Sequence, residues 1–281
     1  MMSDPSIDAA YNVRATIPSE LFDRIISDYR TESSAATTAV AGHVGLVYDE
    51  RSGEKLDVWG IGSDLRPAAV VIHGGYWRML SRHDTAFMAR VLDERGIATV
   101  PIDYTLAPSA TLEEIVRQVR AAVAWVYHHG IMHGIDRERL FVTGSSAGGH
   151  LAAMAAVDGW QQTFDLPTNV VKGVMPLSGL FDLRPLVHSF ANDWLGLTAR
   201  RAIALSPMLK SPVAGTTVVA VAAEHDGAGF LQQAAELEHH WGDAARCDHA
   251  IIPHANHYDL FLQLAASDSS VTKLLLDLIG A

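Results

Sequence analysis

The sequence predicts an α/β protein with a mostly parallel, eight-stranded sheet and helices on both faces. Short β-branched and apolar runs alternate along the chain with longer segments of helical periodicity, which is typical of parallel strands joined by crossover helices. With 281 residues, of which 49% are hydrophobic, the chain can bury one large core. We therefore expect a single domain over residues 1–281, with a helical lead-in at 1–38 and a cap-like insertion at 180–212 after the sixth strand.

Eight segments have the composition of strands. The first two flank the turn Arg51-Ser52-Gly53-Glu54 and predict an antiparallel hairpin at one edge of the sheet. The others alternate with helical segments, as strands of a parallel sheet do. In chain order, the predicted strands are GHVGLVYDE, KLDVWGIG, AAVVIHGG, GIATVPIDY, RLFVTGSS, VVKGVMPLSG, TTVVAVAAEHDG and DHAIIPHANH.

Helical segments fill most connections between these strands. TLEEIVRQVRAAVAWVYHHG has the clearest ends, because Thr111 is a good N-cap and Gly130 follows the last turn. Residues 180–212 contain three prolines and several aromatic residues, and they predict an irregular insertion over one end of the sheet. The other predicted helices are about Asp84 to Arg95, AGGHLAAMAAV, FLQQAAELEHHWGD and SSVTKLLLDLIG.

The composition argues against several classes of partner. A net charge of -11 without a Lys/Arg cluster does not suit nucleic acid. No apolar stretch approaches the ~20 residues that span a bilayer, and the N-terminus lacks the pattern of a secretory signal. The lone Cys247 is compatible with a reducing compartment. We expect a cytoplasmic protein that acts on a small molecule, and the oligomeric state stays open.

The clearest chemical signal is a serine between a predicted strand and a predicted helix. Gly144-Ser145-Ser146-Ala147-Gly148 matches the GxSxG nucleophile elbow in the strand-to-helix context that this motif requires. The residues two positions away must be small because the strand and helix backbones approach closely. Ser146 at the apex is the candidate nucleophile, and the backbone N–H of Ala147 faces any oxyanion that forms. The adjacent Ser145 is the alternative.

A second motif, His73-Gly74-Gly75-Tyr76-Trp77, follows the predicted third strand. Its glycines let the backbone approach a substrate, as in HGGG-type oxyanion loops, although Tyr76 stands where many lipases have a third glycine. We expect the backbone N–H groups of Gly75 and Tyr76 to join that of Ala147 in an oxyanion hole. His73 is predicted to brace the loop.

The general base and its acid are expected after the last two strands, in the order serine, acid, histidine. His257 lies in the loop beyond the final strand and is the favoured base, with His254 as its competitor. Asp226 and Glu224 both follow the preceding strand. Asp226 is preferred because it lies deeper in the loop, and Glu224 remains the alternative.

A metal-dependent mechanism is not predicted. The histidine groups at 128–134 and 239–240 occur near helix ends, where histidine is common. Neither HExxH nor paired-cysteine spacing accompanies them. The sequence therefore predicts neither a metal site nor a cofactor.

With GSSAGGH, HGGYW and the ordered acid and histidine, the sequence resembles α/β-hydrolases of the kynurenine formamidase type, the arylformamidases with an HGGxW loop, over nearly its whole length. The resemblance implies Ser146 as nucleophile, His257 as base and Asp226 as acid. It implies hydrolysis of an aryl formamide such as N-formylkynurenine, without a cofactor. The segment AAEHD departs from the glycine-rich start of the family's acid loop, so Glu224 remains the alternative to Asp226 as the acid.

Two other functions remain open at this stage. A carboxylesterase for small aryl or short-acyl esters would use the same residues, because an ester is the easier substrate for this chemistry. A catalytically silent ligand-binding protein is the remoter alternative, since a fold does not fix a function. Arg78 could pair with a substrate carboxylate or with Asp84. The candidate substrate-binding residues are Tyr76, Trp77, Phe181, His188 and Trp194.

Overall fold

The computed structural model describes residues 3–281, and an eight-stranded sheet lies at the centre of this part of the chain. The strands are β1 (Gly42–Asp49), β2 (Glu54–Trp59), β3 (Arg66–Ile72), β4 (Ala98–Ile102), β5 (Ile135–Ser145), β6 (Val171–Leu177), β7 (Thr217–His225) and β8 (Arg246–Asn256). Their order across the sheet is β1-β2-β4-β3-β5-β6-β7-β8. β2 pairs antiparallel with β1 and β4, and the other neighbours are parallel. The predicted fold class and edge hairpin are confirmed.

Helices fill the connections between the strands. They are α1 (Pro5–Tyr11), α2 (Ser19–Thr38), α3 (Ala89–Asp93), α4 (Leu112–His129), α5 (Ala147–Ala156), α6 (Asn192–Leu195), α7 (Ala199–Leu205), α8 (Ala228–Trp241), α9 (Asp259–Leu262) and α10 (Ser270–Ile279). The Thr111 hydroxyl accepts the N–H of Glu114 at the start of α4, as its cap role predicts. None of the helices found within residues 3–281 is long and apolar enough to cross a bilayer.

The helix predicted from about Asp84 to Arg95 is much shorter in the structure. A 3-10 turn occupies Arg82–Asp84, and α3 begins only at Ala89. The Asp84 carboxylate accepts a hydrogen bond from the Ser81 hydroxyl at 2.7 Å and pairs with Arg30 at 2.7 Å. These contacts hold the chain in a tight turn, so local side-chain bonding overrides the helical pattern.

The two faces of the sheet have separate apolar cores. Along β3, Ala68, Val70 and Ile72 face the core formed with α4, α5 and α8. Ala69 and Val71 face the opposite core, formed with α2, α3, α9 and α10. This alternation follows from the two-residue period of a strand. Helices therefore cover both faces, as predicted.

The register of the central strands brings two loops together. Ile72 pairs with Gly144 across β3 and β5. The residues that follow each strand therefore emerge at the same edge of the sheet, where ligand sites of open α/β sheets occur. A Cβ built on Gly74 would lie only 2.7 Å from the carbonyl oxygen of Ser145. The loop after β3 thus rests directly against the turn that carries Ser146.

Candidate active site

Ser146 lies at a strained turn between β5 and α5. Its φ of +58° falls in the left-handed region, which is unfavourable for a residue with a Cβ and is typically retained at functional turns. The Ser146 N–H donates to the carbonyl of Leu177 at 2.8 Å, which ties the turn to β6. Ser146 lines a cavity above the sheet, and so does Ser145, the last residue of β5. Ser146 is therefore the serine at the apex of the turn.

The glycines on either side of this turn occupy places where a side chain does not fit. A Cβ on Gly144 would lie 2.6 Å from the carbonyl oxygen of Gly148, and a Cβ on Gly148 would lie 2.1 Å from that of Ile72. Both neighbours are backbone atoms, which cannot swing aside as a flexible side chain can. The close approach of strand and helix thus explains the small residues of the GxSxG pattern.

We expect Gly148→Ala to lower the free energy of unfolding by about 2–4 kcal/mol, because its methyl group would force β3 and α5 apart. Urea unfolding followed by circular dichroism measures this change. Gly62→Ala is the matched control, since there the atoms nearest to the new methyl belong to the half-buried Arg66 guanidinium, at 2.7 Å, and not to the backbone. Equal stability of the Gly148 variant and the wild type would contradict the proposed close packing.

His257 and Asp226 meet because of the register between the last two strands. His225 pairs with Asn256 across β7 and β8, so the next residue of each strand emerges at the same level. The two side chains are buried, and Nδ1 of His257 lies 2.8 Å from Oδ1 of Asp226. The N–H of Gly227 also donates to Oδ1 at 2.8 Å, which fixes the carboxylate. With its proton on Nδ1, the imidazole presents Nε2 as a proton acceptor.

The alternative acid and base lie elsewhere. Glu224 is exposed, and its Oε2 accepts the backbone N–H of His254 at 2.7 Å. This hydrogen bond holds the pKa of the Glu224 carboxyl below its usual value. The His254 side chain is 92% exposed. Neither residue lines the cavity that contains Ser146 and His257, so the geometry favours Asp226 and His257.

The loop after β3 presents unpaired backbone donors. Gly75, Tyr76 and Trp77 have φ values of +89°, +50° and +59°, so three successive residues adopt the left-handed region. Within residues 3–281, the N–H groups of Gly75, Tyr76 and Ala147 donate to no backbone acceptor. Backbone donors without a partner are unusual at a buried site, and they are what an oxyanion hole requires.

Two sets of contacts hold this loop in place. The His73 ring stacks on Tyr104 with centroids 4.1 Å apart, and the Tyr104 hydroxyl donates to the carbonyl of His73 at 3.1 Å. The indole N–H of Trp194 donates to the carbonyl of Tyr76 at 3.0 Å, and the Tyr76 hydroxyl donates to the carbonyl of Tyr11. His73 thus packs beneath the loop, where its predicted bracing role requires it.

The cavity beside Ser146 has a volume of about 280 Å³ and a mostly apolar lining. The loop after β3, the elbow and the loop after β8 form one side of it. The N-terminal lead-in forms another, which the sequence did not predict, because no local pattern shows that α2 folds back across the strand ends. The lining residues are Asn12, Val13, Arg14, Phe22, Ile26, Tyr29, Gly74, Gly75, Tyr76, Arg78, Met79, Leu80, Ser145, Ser146, Phe190, Trp194, His257 and Tyr258.

Several predicted wall residues do not line this cavity. Trp77 and Phe181 are fully buried in the core, where Trp77 packs edge-on against His150 with centroids 5.2 Å apart. His188 is exposed outside the cavity. Tyr76 and Trp194 do line the cavity, so the predicted insertion contributes Trp194 in place of Phe181 and His188.

Arg78 does not form the ion pair with Asp84 that the sequence suggested as one alternative. Asp84 pairs with Arg30, whereas the Arg78 guanidinium lies over the Trp194 ring at 4.4 Å from its centroid. No carboxylate of residues 3–281 lies within 4 Å of it. An arginine at the rim of an apolar cavity, with its charge uncompensated, is a candidate for binding an anionic group.

Comparisons with known proteins agree with the fold described above. The BD-FAE family model matches residues 61–195. A kynurenine formamidase from Salmo salar is 31% identical over 92% of this chain and 90% of its own, and one from Danio rerio is 29% identical over 99% and 97%. A protein of known crystal structure from Silicibacter sp. TM1040 is 26% identical in sequence to this chain. The match covers 98% of this chain and 99% of that protein, with a TM-score of 0.83. Solved esterases share the fold at lower identity.

Proposed function

Because the chain belongs to the kynurenine formamidase family of α/β-hydrolase enzymes, we propose that it hydrolyses an aryl formamide, N-formylkynurenine or a close analogue, with Ser146, Asp226 and His257 as the catalytic residues. The observation that carries the proposal is the shared cavity. Ser146 and His257 line this cavity. The Asp226 carboxylate accepts a hydrogen bond from Nδ1 of His257, the ring nitrogen opposite Nε2. The unpaired N–H groups of Gly75, Tyr76 and Ala147 supply the donors for the oxyanion.

The proposed reaction has two steps. His257 takes the proton of Ser146 while Oγ bonds to the formyl carbon, and the carbonyl oxygen becomes an oxyanion held by the three N–H groups. His257 then protonates the nitrogen as the C–N bond breaks, which releases the aryl amine and leaves a formyl ester on Ser146. Water, deprotonated by His257, attacks this ester. His257 returns this proton to Ser146 as the ester bond breaks, and the formic acid that leaves ionises to formate in solution.

The shape and charge of the cavity suit an aromatic leaving group that carries a carboxylate. Tyr76 packs edge-on against Phe190 and Trp194, with ring centroids 5.5 and 6.1 Å apart, and these rings form an apolar wall. Arg78 lies at the edge of this wall, and its guanidinium donors pair with no carboxylate of residues 3–281. A formyl group needs almost no acyl pocket, so the room in the cavity is available to the leaving group.

We expect Arg78→Met to raise KM for N-formylkynurenine about 10- to 100-fold, because a charge-assisted hydrogen bond to the substrate carboxylate contributes about 1.5–3 kcal/mol. For a formanilide without a carboxylate, KM should change little. Steady-state kinetics with the two substrates measures the difference.

Arg14→Met is the matched comparison. Arg14 also lines the cavity, but its guanidinium already donates to the Ile17 carbonyl at 3.2 Å and the Ser19 hydroxyl at 2.8 Å. Its replacement should raise KM less than that of Arg78. Equal effects of Arg78→Met on the charged and the neutral substrate would refute the proposed carboxylate contact.

A carboxylesterase acting on small aryl or short-acyl esters is the second candidate. It is supported by the apolar cavity and by the solved esterases that share the fold. The test is kcat/KM for N-formylkynurenine and for a p-nitrophenyl short-chain ester, measured on one preparation with Ser146→Ala as the blank. A clear preference for the formamide supports the first proposal, whereas turnover of the ester alone would replace it with the second.

Cytoplasmic location remains part of this proposal. It is supported by the lone cysteine of the chain, Cys247, which leaves no internal disulfide to be formed.

The single-domain organisation, with a lead-in at 1–38 and an insertion at 180–212, is likewise proposed. Its support is the contribution of both segments to one cavity, through Arg14 and Phe22 on one side and Phe190 and Trp194 on the other.

A further inference from the structure

Three exposed side chains with metal-ligand chemistry lie next to the loops of the proposed triad. Glu224 and His225 end β7, and His254 lies near the end of β8. Oε2 of Glu224 is 3.9 Å from Nε2 of His225 and 3.6 Å from Nδ1 of His254, and ligand atoms of all three lie within 4.8 Å of one another. We propose that these residues bind a divalent transition-metal ion, with Zn²⁺ as the best fit.

The donor set fits this class of ion. Two imidazoles and one carboxylate are ligands that Zn²⁺ accepts, with a water molecule completing a four-coordinate site. Bond lengths of about 2.0–2.1 Å place the ligand atoms of a tetrahedral site roughly 3.4 Å apart, which is close to the shorter separations found here. The hard cation Mg²⁺, in contrast, prefers six oxygen ligands and should not bind.

The three side chains can make the small adjustment that a metal requires. Their exposed fractions are 46% for Glu224, 63% for His225 and 92% for His254, so little packing opposes a rotation of the two imidazoles. The backbone is already in position, because the Glu224 carboxylate accepts the N–H of His254 at 2.7 Å. This hydrogen bond joins the ends of β7 and β8 before any ion binds and orients the carboxylate, as outer contacts of metal ligands do.

The position of the site gives it a structural consequence. Asp226 directly follows His225, and His257 lies three residues after His254 in the chain. A bound ion would therefore crosslink the two loops that carry the proposed acid and base. Because the folded chain presents the three ligands together, binding should stabilise the fold and raise the melting temperature as the metal concentration rises.

Titration calorimetry of the full-length protein with ZnCl₂ tests the proposal. We expect one ion per chain, a rise in melting temperature with Zn²⁺, and neither effect with Mg²⁺. The double variant His225→Gln/His254→Gln should lose at least about tenfold in Zn²⁺ affinity. Both side chains are exposed, so its melting temperature without metal should match that of the wild type.

Two controls test whether other imidazoles bind the ion. His43 and His133 form a separate surface pair, with their Nδ1 atoms 2.9 Å apart, and His133→Gln should leave the Zn²⁺ affinity unchanged. His257→Gln removes the imidazole of the proposed triad and should also retain binding. Loss of binding in either single control, or wild-type affinity in the double variant, would overturn the assignment to Glu224, His225 and His254.

Discussion

Ser146→Ala should lower kcat for the formamide by about 10⁴- to 10⁶-fold, the largest effect that we expect from any single substitution in this protein. Without the hydroxyl there is no nucleophile to form the formyl ester, and His257 has no proton to accept from the chain. Residual turnover would come from the oxyanion donors acting on a bound water molecule. Single-turnover kinetics, with formate as the measured product, quantifies the loss.

Ser145→Ala is the matched control for this prediction. Ser145 also lines the cavity but lies at the end of β5, one residue before the turn. Ser145→Ala should therefore lower kcat far less than Ser146→Ala does. The Ser146 variant should keep the wild-type fold, because alanine retains the Cβ at the strained φ of +58°. A folded Ser146→Ala enzyme with full activity would refute the serine mechanism.

Asp226→Asn should lower kcat by about 10⁴-fold with little change in the fold. The Asp226 carboxylate accepts the Nδ1 proton of His257 at 2.8 Å and so leaves Nε2 free to take the serine proton. An asparagine amide can instead donate to Nδ1, which favours the tautomer that carries its proton on Nε2. That tautomer cannot act as the base. The measurement is kcat for the variant and the wild type on the same formamide.

Glu224→Gln distinguishes between the two acids that the sequence left open. Glu224 is exposed and hydrogen-bonded to the backbone of His254, so its replacement should cost far less activity than Asp226→Asn. Both variants should be assayed with a chelator, which keeps the proposed metal site out of the comparison. A larger loss from Glu224→Gln than from Asp226→Asn would reverse the assignment of the acid.

The fold class could be predicted because its signals are local. A strand of a parallel sheet is recognised in the sequence as a short apolar run. The ends of a helix are recognised by their capping residues, which are Thr111 and Gly130 in α4. The prediction failed where a side-chain contact decided the backbone. Asp84 pairs with Arg30, more than fifty residues earlier in the chain, and the turn it stabilises shortens the predicted helix.

The substrate-binding residues were harder to predict than the fold. The sequence pattern of an aromatic residue beside an oxyanion loop is the same whether its side chain faces a cavity or the core. Trp77 is fully buried in the core, whereas Tyr76, one residue earlier, lines the cavity, although both residues have a positive φ. Arg14 and Phe22 complete the wall from the N-terminal lead-in, which reaches the site only after the chain has folded.

The sequence by itself determined the sheet with its two helical layers, the strained turn at Ser146 and the glycine loop after β3, because each depends on residues adjacent in the chain. Only the tertiary structure decided that Asp226, and not Glu224, is the partner of His257. It also placed the Arg78 guanidinium over the Trp194 ring. It brought His254 close to Glu224 and His225. The reason is the register of β7 against β8 and the packing of the insertion at 180–212 against the loop after β3. Both depend on contacts between residues far apart in the sequence, and no local pattern specifies which of them will meet.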